Sequence, residues 1–564
     1  MKRGIPGRST SLFAPLFLVV LVSLVAGCGG GERPAPPAGR AASEPLFEGL
    51  GAHTRKITTE SPDAQRYFDQ GLNLLFAFNH DEAIRSFREA ARLDPECAMA
   101  WWGIAAANGP HINNPVVPPE RSAAAWEALV RARAAAPRST RVERALIEAQ
   151  GARWAEPPAE DRAPLERAYA DAMRAVWQMY PRDTDVGALF AESLMDLRPW
   201  DLWTPEGTAQ PGTDEVLRAL EAVMLTNPRH PLALHLYIHA VEMSPNPEKA
   251  DLAVDRLRDL TPGLGHLVHM PSHIDVRRGR WVPAITANEK AMEADRRYGA
   301  QVPTQGFYRL YMSHNHHMLA YAAMMIGRSS AAIGAIDEMV ARMPDDWRKE
   351  YAAIADGFFA MPLEVRLRFG KWDEILAAPE PEEFLPIARA MRLQARGIAL
   401  AAQGKTSEAR AEQKAFEAAR AAVPADAIFG NNIAADILSV AAAMLEGEIA
   451  YREGKTDAGL AALRRAVDAE DRLRYDEPPD WILPVRHALG ASLLQSKKPA
   501  EAEAVFREDL RRLPDNGWSL FGLGRALRLQ GKDADAAEVE ARFKEIWAGA
   551  DLELKSSCFC QPGA

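Results

Sequence analysis

Histidine makes up only 13 of the 564 residues, yet eight of the 13 fall between positions 235 and 317. The string "HLYIHAVE" places His235, His239 and Glu242 at i, i+4 and i+7. On a helix turning about 100° per residue that spacing confines them to an arc of about 60°. "GHLVHMPSHI" sets His266, His269 and His273 within eight positions, with Pro271 between the last two. "SHNHHML" adds His314 and His317 on one helix face, with His316 turned about 160° from His314. Neutral imidazole is a ligand for Zn, Cu and Fe, and a glutamate adds a harder oxygen donor. The candidate ligands are therefore His235, His239, Glu242, His266, His269, His273, His314 and His317. Eight donors exceed one tetrahedral shell of four, so either two ions bind or the surplus histidines orient ligands and move protons. A lone histidine is ordinarily a hydrogen-bonded core or surface residue, but packing alone has no reason to gather seven. The metal-free alternative is a polar groove that recognises an anionic peptide or small molecule through its histidines.

The elements that must position these residues are helices. From about residue 60 the chain is rich in Ala, Leu, Glu and Arg at helical spacing and lacks long alternating β-branched runs, which predicts an all-α fold. It is also internally repetitive. In "AQRYFDQGLNLLFAFNHDEAIRSFREAARLDP" the small residues Gly71, Ala83 and Ala90 precede Pro95, and "CAMAWWGIAAANG" starts a similar unit 34 residues later, with Trp101 matching Tyr67. Near the other end Gly490 aligns with Gly524, Ala502 with Ala536 and Phe506 with Glu540 at the same 34-residue shift. Further units surround Gly397/Gly404/Ala409 and Gly447/Gly454/Gly459.

This pattern resembles the tetratricopeptide repeat (TPR) family over most of residues 60–548, and the resemblance implies an α-solenoid of antiparallel helix pairs. It supplies a register. Gly279 and Ala284 set a unit starting at residue 265, Ala250 and Pro262 one at 231, and Gly327, Ala332 and Pro344 one at 313. In that register the candidate histidines lie on three consecutive first helices, at positions that in this family face the concave surface. The interval before residue 313 exceeds one repeat, so "RRYGAQVPTQGFYRLYM" must lengthen a helix or add a loop. The three histidine strings also resemble those of a broad group of bacterial repeat proteins. The resemblance is to a binding scaffold and implies no reaction.

The N-terminus reads as an export signal, with Lys2, Arg3 and Arg8 ahead of "LFAPLFLVVLVSLVAG" and then Cys28. "VAGC" resembles the lipobox of bacterial lipoproteins, which implies lipidation of Cys28 and membrane attachment, at the outer membrane facing the periplasm if the organism has two. Loss of residues 1–27 removes three positive and no negative charges, taking the net charge from −10 to −13. That sign excludes a nucleic-acid partner as an expectation. The sequence is thus divided into a signal (1–27), a flexible tether (28–59), N-terminal repeat-like helices with an inserted loop (60–185), a central His-rich region (186–345), a C-terminal array (346–548) and a tail (549–564). Cys97 reads as a buried small side chain. Cys558 and Cys560, in "CFC", are a candidate disulfide or soft-metal pair in a tail that is otherwise loose.

Second-tier candidates are His111 in the loop "NGPHINNPVVPPE", the i, i+4 pair Glu192 and Asp196 ahead of an aromatic loop, and His316. Asp275 reads as a residue that holds a turn. No CxxCH, HExxH, P-loop or GxSxG string is present. The reading is an extracytoplasmic, lipid-anchored α-solenoid with a His-rich transition-metal site (Zn, Cu or Fe), serving metal-dependent chemistry or metal capture. The alternative is a metal-free scaffold for a protein or peptide on the concave face.

Overall fold

The computed structural model describes residues 44–559. The leader, Cys28 and Cys560 lie outside the described residues. Helix follows helix throughout, and each packs mainly against its neighbour in sequence: Pro62–Phe76 on His80–Leu93, Ala98–Ala107 on Pro119–Ala135, and so on to Gly517–Leu529 on Asp533–Ile546. Among the described residues the strands are Ile428–Phe429 and Asn432–Ile433, one two-residue antiparallel pair. The chain is an all-α TPR-like solenoid. No described helix is long and apolar enough to cross a membrane.

Small residues permit the close pairing. A Cβ at Gly71 would stand 2.7 Å from the Phe87 ring, and one at Gly103 in the next unit 2.5 Å from the same ring. Gly490 and Gly522 hold Phe506 in the same way, at 2.3 and 2.2 Å. Both rings are fully buried, so at these two places one repeat is keyed to the next by an aromatic held between two glycines. The turn at Gly279 has φ +68°, a left-handed conformation that glycine adopts without a Cβ penalty.

The long interval before residue 313 is used both ways expected of it. The helix Trp281–Gln301 runs for 21 residues, and a loop with a short 3-10 turn at Gly306–Tyr308 follows. Pro271 ends one short helix, Gly265–His269, and begins another, Pro271–Arg277. Met270 between them keeps helical angles (φ −49°, ψ −38°), so the three histidines stay on one face through the proline.

Three sequence expectations are corrected. Residues 44–59 are not a free tether. They form a strap in which the Tyr67 hydroxyl donates to the Glu44 carbonyl, Gly263 N donates to the Gly49 carbonyl, and Arg55 pairs with Asp183 and Asp185 at 2.8 Å. Residues 549–559 are not loose either: Asp551 accepts the backbone N–H groups of Ser329 and Ser330, and Leu554 is buried in the core. Finally, the histidine-bearing face is not an open concave groove. The late helices return to the middle of the chain, where Trp281 Nε1 donates to the Pro514 carbonyl and Trp518 Nε1 to that of Met324. The face itself is covered by Phe78, Trp200 and Tyr311 and, from later in the chain, by Tyr475. The histidines lie at the seam of two hydrophobic cores, one running from Ile57 to Tyr311 and the other from Val276 to Leu554.

Gly71→Val drives a branched side chain into the Phe87 ring. The expected cost is about 1–3 kcal/mol, read as a lower melting temperature. An unchanged melting temperature would remove the glycine–aromatic key from the account of the fold.

Candidate metal centre

The helix Pro231–Glu242 is buried on all sides, because neighbouring helices enclose it and Tyr475 reaches its last residue. It starts well: Pro231 occupies the first turn, and His230 caps it by accepting the Ala233 N–H at Nδ1. Every residue of Gly265–His269 is buried as well. The expected ligands are thus presented inside the protein, with only His314 partly exposed.

What these rings can do is set by their protons. His235 Nδ1 lies 2.9 Å from the Phe76 carbonyl oxygen, which can only accept, so Nδ1 carries the hydrogen and the Nε2 lone pair is free. Glu242 does the same for two rings at once, with Oε1 2.7 Å from His239 Nδ1 and Oε2 2.6 Å from His273 Nδ1. Asn288 holds a fourth: its amide nitrogen donates to the Ala284 carbonyl, which leaves Oδ1 to accept His269 Nδ1–H at 2.7 Å. All four side chains therefore turn Nε2 inward.

The lone pairs converge. His269 Nε2 and His273 Nε2 are 2.7 Å apart with both Nδ1 protons already committed, so lone pair faces lone pair across that contact. His235 Nε2 lies 3.1 Å from His266 Nε2, and His239 Nε2 and His266 Nδ1 are buried with no hydrogen-bond partner among the described residues. Protonation does not resolve the conflict easily. Burial holds His235, His266 and His269 well below the ordinary histidine range, and neighbouring imidazoles lower them further. A cation does resolve it. Tetrahedral ligands at 2.0–2.1 Å from zinc stand about 3.3 Å from one another, a small outward shift from these contacts.

Two ion-sized groups are built from these nitrogens, His235/His239/His266 and His269/His273/His314, each with its ligand atoms within 4.8 Å of one another; a third group at that distance, His239/Glu242/His273, overlaps both, and there the nitrogens facing Glu242 carry the protons. The first two are neighbours: the His239 and His273 rings are 5.4 Å apart, and those of His266 and His269 5.9 Å. Glu242 joins them from behind. Burial alone would raise its pKa, but its interactions with His273 and His239 on its two oxygens outweigh that and take it down to about 2. Arg277 holds the same residue in place by donating to its carbonyl oxygen at 2.5 Å. Glu242 thus sits as the carboxylate that orients ligands, a role sequence spacing alone does not separate from ligation.

Other candidates fall outside the two groups. His317 has an unpartnered Nε2, but its ring faces Phe358 at 6.0 Å and joins neither triad. His316 turns away as expected, with Nδ1 on the Met312 carbonyl. His111 stacks on Phe78 at 4.2 Å beside the first triad. Glu192 and Asp196 are not a solvated pair: Asp196 accepts Arg153 at 2.6 Å, and burial raises the two carboxyls to about 8 and about 7. Asp275 holds its turn through Arg258 and Arg280. Cys97 is buried and free. Cys558 is disulfide-bonded and lies at a different cavity.

Sequence reasoning missed several residues. His53 and His230 share Asp185 Oδ1 at 2.9 and 3.0 Å, but Arg55 takes Oδ2 and the His230 proton is spent on the carboxylate, so that cluster is complete without an ion. Phe78 (φ +57°), and Trp200 (φ +55°) from the aromatic loop that the sequence did mark as a packed lid or pocket wall, are bulky residues held in left-handed conformations, and both abut the first triad. Their rings lie 4.5 Å from His235 and 5.5 Å from His239. Strain of this kind persists where the surroundings enforce it. Trp200 also lines a small cavity of ≈ 10 Å³ with Met195, Leu202, Met243 and Arg198, and that cavity touches His239 and Glu242.

No family model and no curated protein sequence matches the chain. Among solved structures it is similar to a human IFIT1 dimer with m7Gppp-AAAA, at 14% identity over 87% of this chain and 92% of that one, with a TM-score of 0.33. It is also similar to the Cut9–Hcn1 hetero-tetramer of the APC/C, at 12% identity over 86% and 74% and a TM-score of 0.28. The TPR domain of P58(IPK) gives 12% identity over 83% and 99% and a TM-score of 0.21. Overlaps this low carry no argument about function, and the fold assignment rests on the helix pairs themselves.

Glu242→Gln keeps the shape but turns an amide toward one imidazole N–H. The expected result is a 10- to 100-fold loss of metal affinity at both triads in a chelator competition, whereas Asn288→Ala weakens only the second. Loss at a single triad in the glutamate variant would contradict the shared role.

Proposed function

We propose that the chain is an extracytoplasmic, lipid-anchored repeat protein that binds two transition-metal ions, one in each three-histidine group. The observation that carries this reading is the convergence of unprotonated Nε2 atoms inside the protein, above all the 2.7 Å contact between His269 and His273. An all-nitrogen donor set suits Zn, Cu or Fe. The membrane address rests on the "VAGC" string and Cys28 alone.

Three protein ligands per ion are the pattern of sites that keep a position for an exogenous ligand, not of closed structural sites. The small cavity beside His239 and Glu242 supports this, since it leaves room for about one water at the first triad. A metal bound there would supply Lewis acidity or redox chemistry. The protein's own part is to hold the imidazoles in one tautomer through Phe76, Glu242 and Asn288, and to keep the surroundings dry with Phe78 and Trp200. Metal-dependent chemistry is thereby favoured over capture. Docking of a peptide onto the histidines is disfavoured, because that face is buried.

Metal analysis of the mature chain, prepared without an affinity tag and reconstituted, should give about two equivalents of one metal. His235→Ala and His269→Ala should each lose about one equivalent, from different triads. Fewer than about one equivalent for every metal tried would sink the proposal and leave a metal-free scaffold.

A further inference from the structure

The two triads differ in how they meet the solvent. His314 of the second is partly exposed, whereas every residue of the first is buried. The first triad lies under a roof of two loops. Residues 108–118 bring His111, whose ring stacks at 4.2 Å on Phe78, and Phe78 in turn lies 4.5 Å from the His235 ring. Residues 196–212 bring Trp200, whose ring stands 5.5 Å from that of His239. Trp200 is itself only half-buried, so at that point a single side chain separates His239 from solvent.

The loops are fastened at their feet and joined at their tips. At the feet the buried Arg153 guanidinium reaches both, donating to the Asp196 carboxylate at 2.6 Å and to the Pro110 carbonyl at 3.4 Å. Trp203 Nε1 donates to the Ala240 carbonyl at 2.8 Å and ties the second loop to the helix that carries His235 and His239. At the tips Trp200 Nε1 donates to Asn113 Oδ1 at 3.1 Å. Both of these residues are half-buried, and a neutral hydrogen bond in that setting contributes little. Trp200 also keeps a left-handed conformation (φ +55°), which the closed roof has to sustain. The cavity beside His239 is ≈ 10 Å³, room for about one water, so a hydrated ion or a chelator does not pass while the roof is closed.

We propose that the two loops are a gate: their tips part at the Trp200–Asn113 hydrogen bond while Arg153 holds their feet, and metal enters and leaves the first triad through that opening. The second triad exchanges directly at His314. The gate rests on the metal reading above and gives its two sites different tasks. The ion at His235, His239 and His266 is the resident one, held kinetically, and the ion at His269, His273 and His314 is the exchangeable one.

The test is the release of zinc from the loaded full mature chain into an excess of the coloured chelator pyridylazoresorcinol. The expected record has two phases of about one equivalent each, a fast one that His269→Ala abolishes and a slow one that His235→Ala abolishes. Asn113→Ala should speed the slow phase roughly 2- to 10-fold, through loss of one neutral hydrogen bond from the closed state, and leave the fast phase and the zinc content unchanged. Asn113→Asp keeps an acceptor oxygen for the Trp200 N–H and should stay slow. Should Asn113→Ala fail to fold, Trp200→Phe removes the same bond from the donor side and must speed the same phase. Release of both ions in one phase, loss of the slow phase in His269→Ala, or a slow phase unmoved by these variants would each overturn the gate and leave the metal reading standing. Uptake of less than about one equivalent would overturn the metal reading, and the gate with it.

Discussion

One fully buried carboxylate organises the histidine centre. Glu242 accepts Nδ1–H from His239 with one oxygen and from His273 with the other, and thereby fixes the tautomer and aim of one ring in each triad. A carboxylate at this depth is held only because it is matched by charge-assisted hydrogen bonds on both oxygens. Both triads face inward as a consequence, and they are coupled: whatever alters the electron demand of one bridged ring is felt by the other through the same group.

The rest of the fold can be read as what keeps that arrangement closed. Phe76 supplies a carbonyl to His235 from a helix 159 residues away in sequence. The strap of residues 44–59 is pinned by Arg55 to Asp185, whose carboxylate also holds His230 at the cap of the His235 helix. From the far end of the chain, Tyr475 brings its hydroxyl to within 3.4 Å of Glu242. A solenoid open along its length would expose its first helices, whereas here Phe78, Trp200, Tyr311 and Tyr475 lie against the histidine-bearing face and cover it. Burial is what makes the histidines useful, since it keeps them unprotonated and excludes water as a competitor for their lone pairs.

Local periodicity carried much of this in the sequence, and long-range contact did not. The helical spacing of His235, His239 and Glu242 and of the 266/269/273 set identified the shared faces, and the 34-residue repeat ordered them along the solenoid. The division of labour was hidden. Glu242 at i+3 from His239 reads equally as ligand or as orienting group, and only the positions of the two Nδ1 atoms decide it. His317 shares a face with His314 but is one turn too far along to reach the second triad. The strap was misread because a Gly/Pro/Ala-rich stretch predicts flexibility while Arg55 finds its partners some 130 residues later. Asn288, Phe78 and Trp200 bear on the histidines through backbone path and packing that no short motif encodes.

Diffraction from metal-loaded crystals, recorded on both sides of the metal absorption edge, tests the central claim most directly. The account predicts two anomalous peaks, one about 2.0 Å from nitrogens of His235, His239 and His266 and one at the same distance from His269, His273 and His314, with neither bonded to Glu242. A single ion ligated by the Glu242 carboxylate, or strong peaks only outside the histidine cluster, would contradict it.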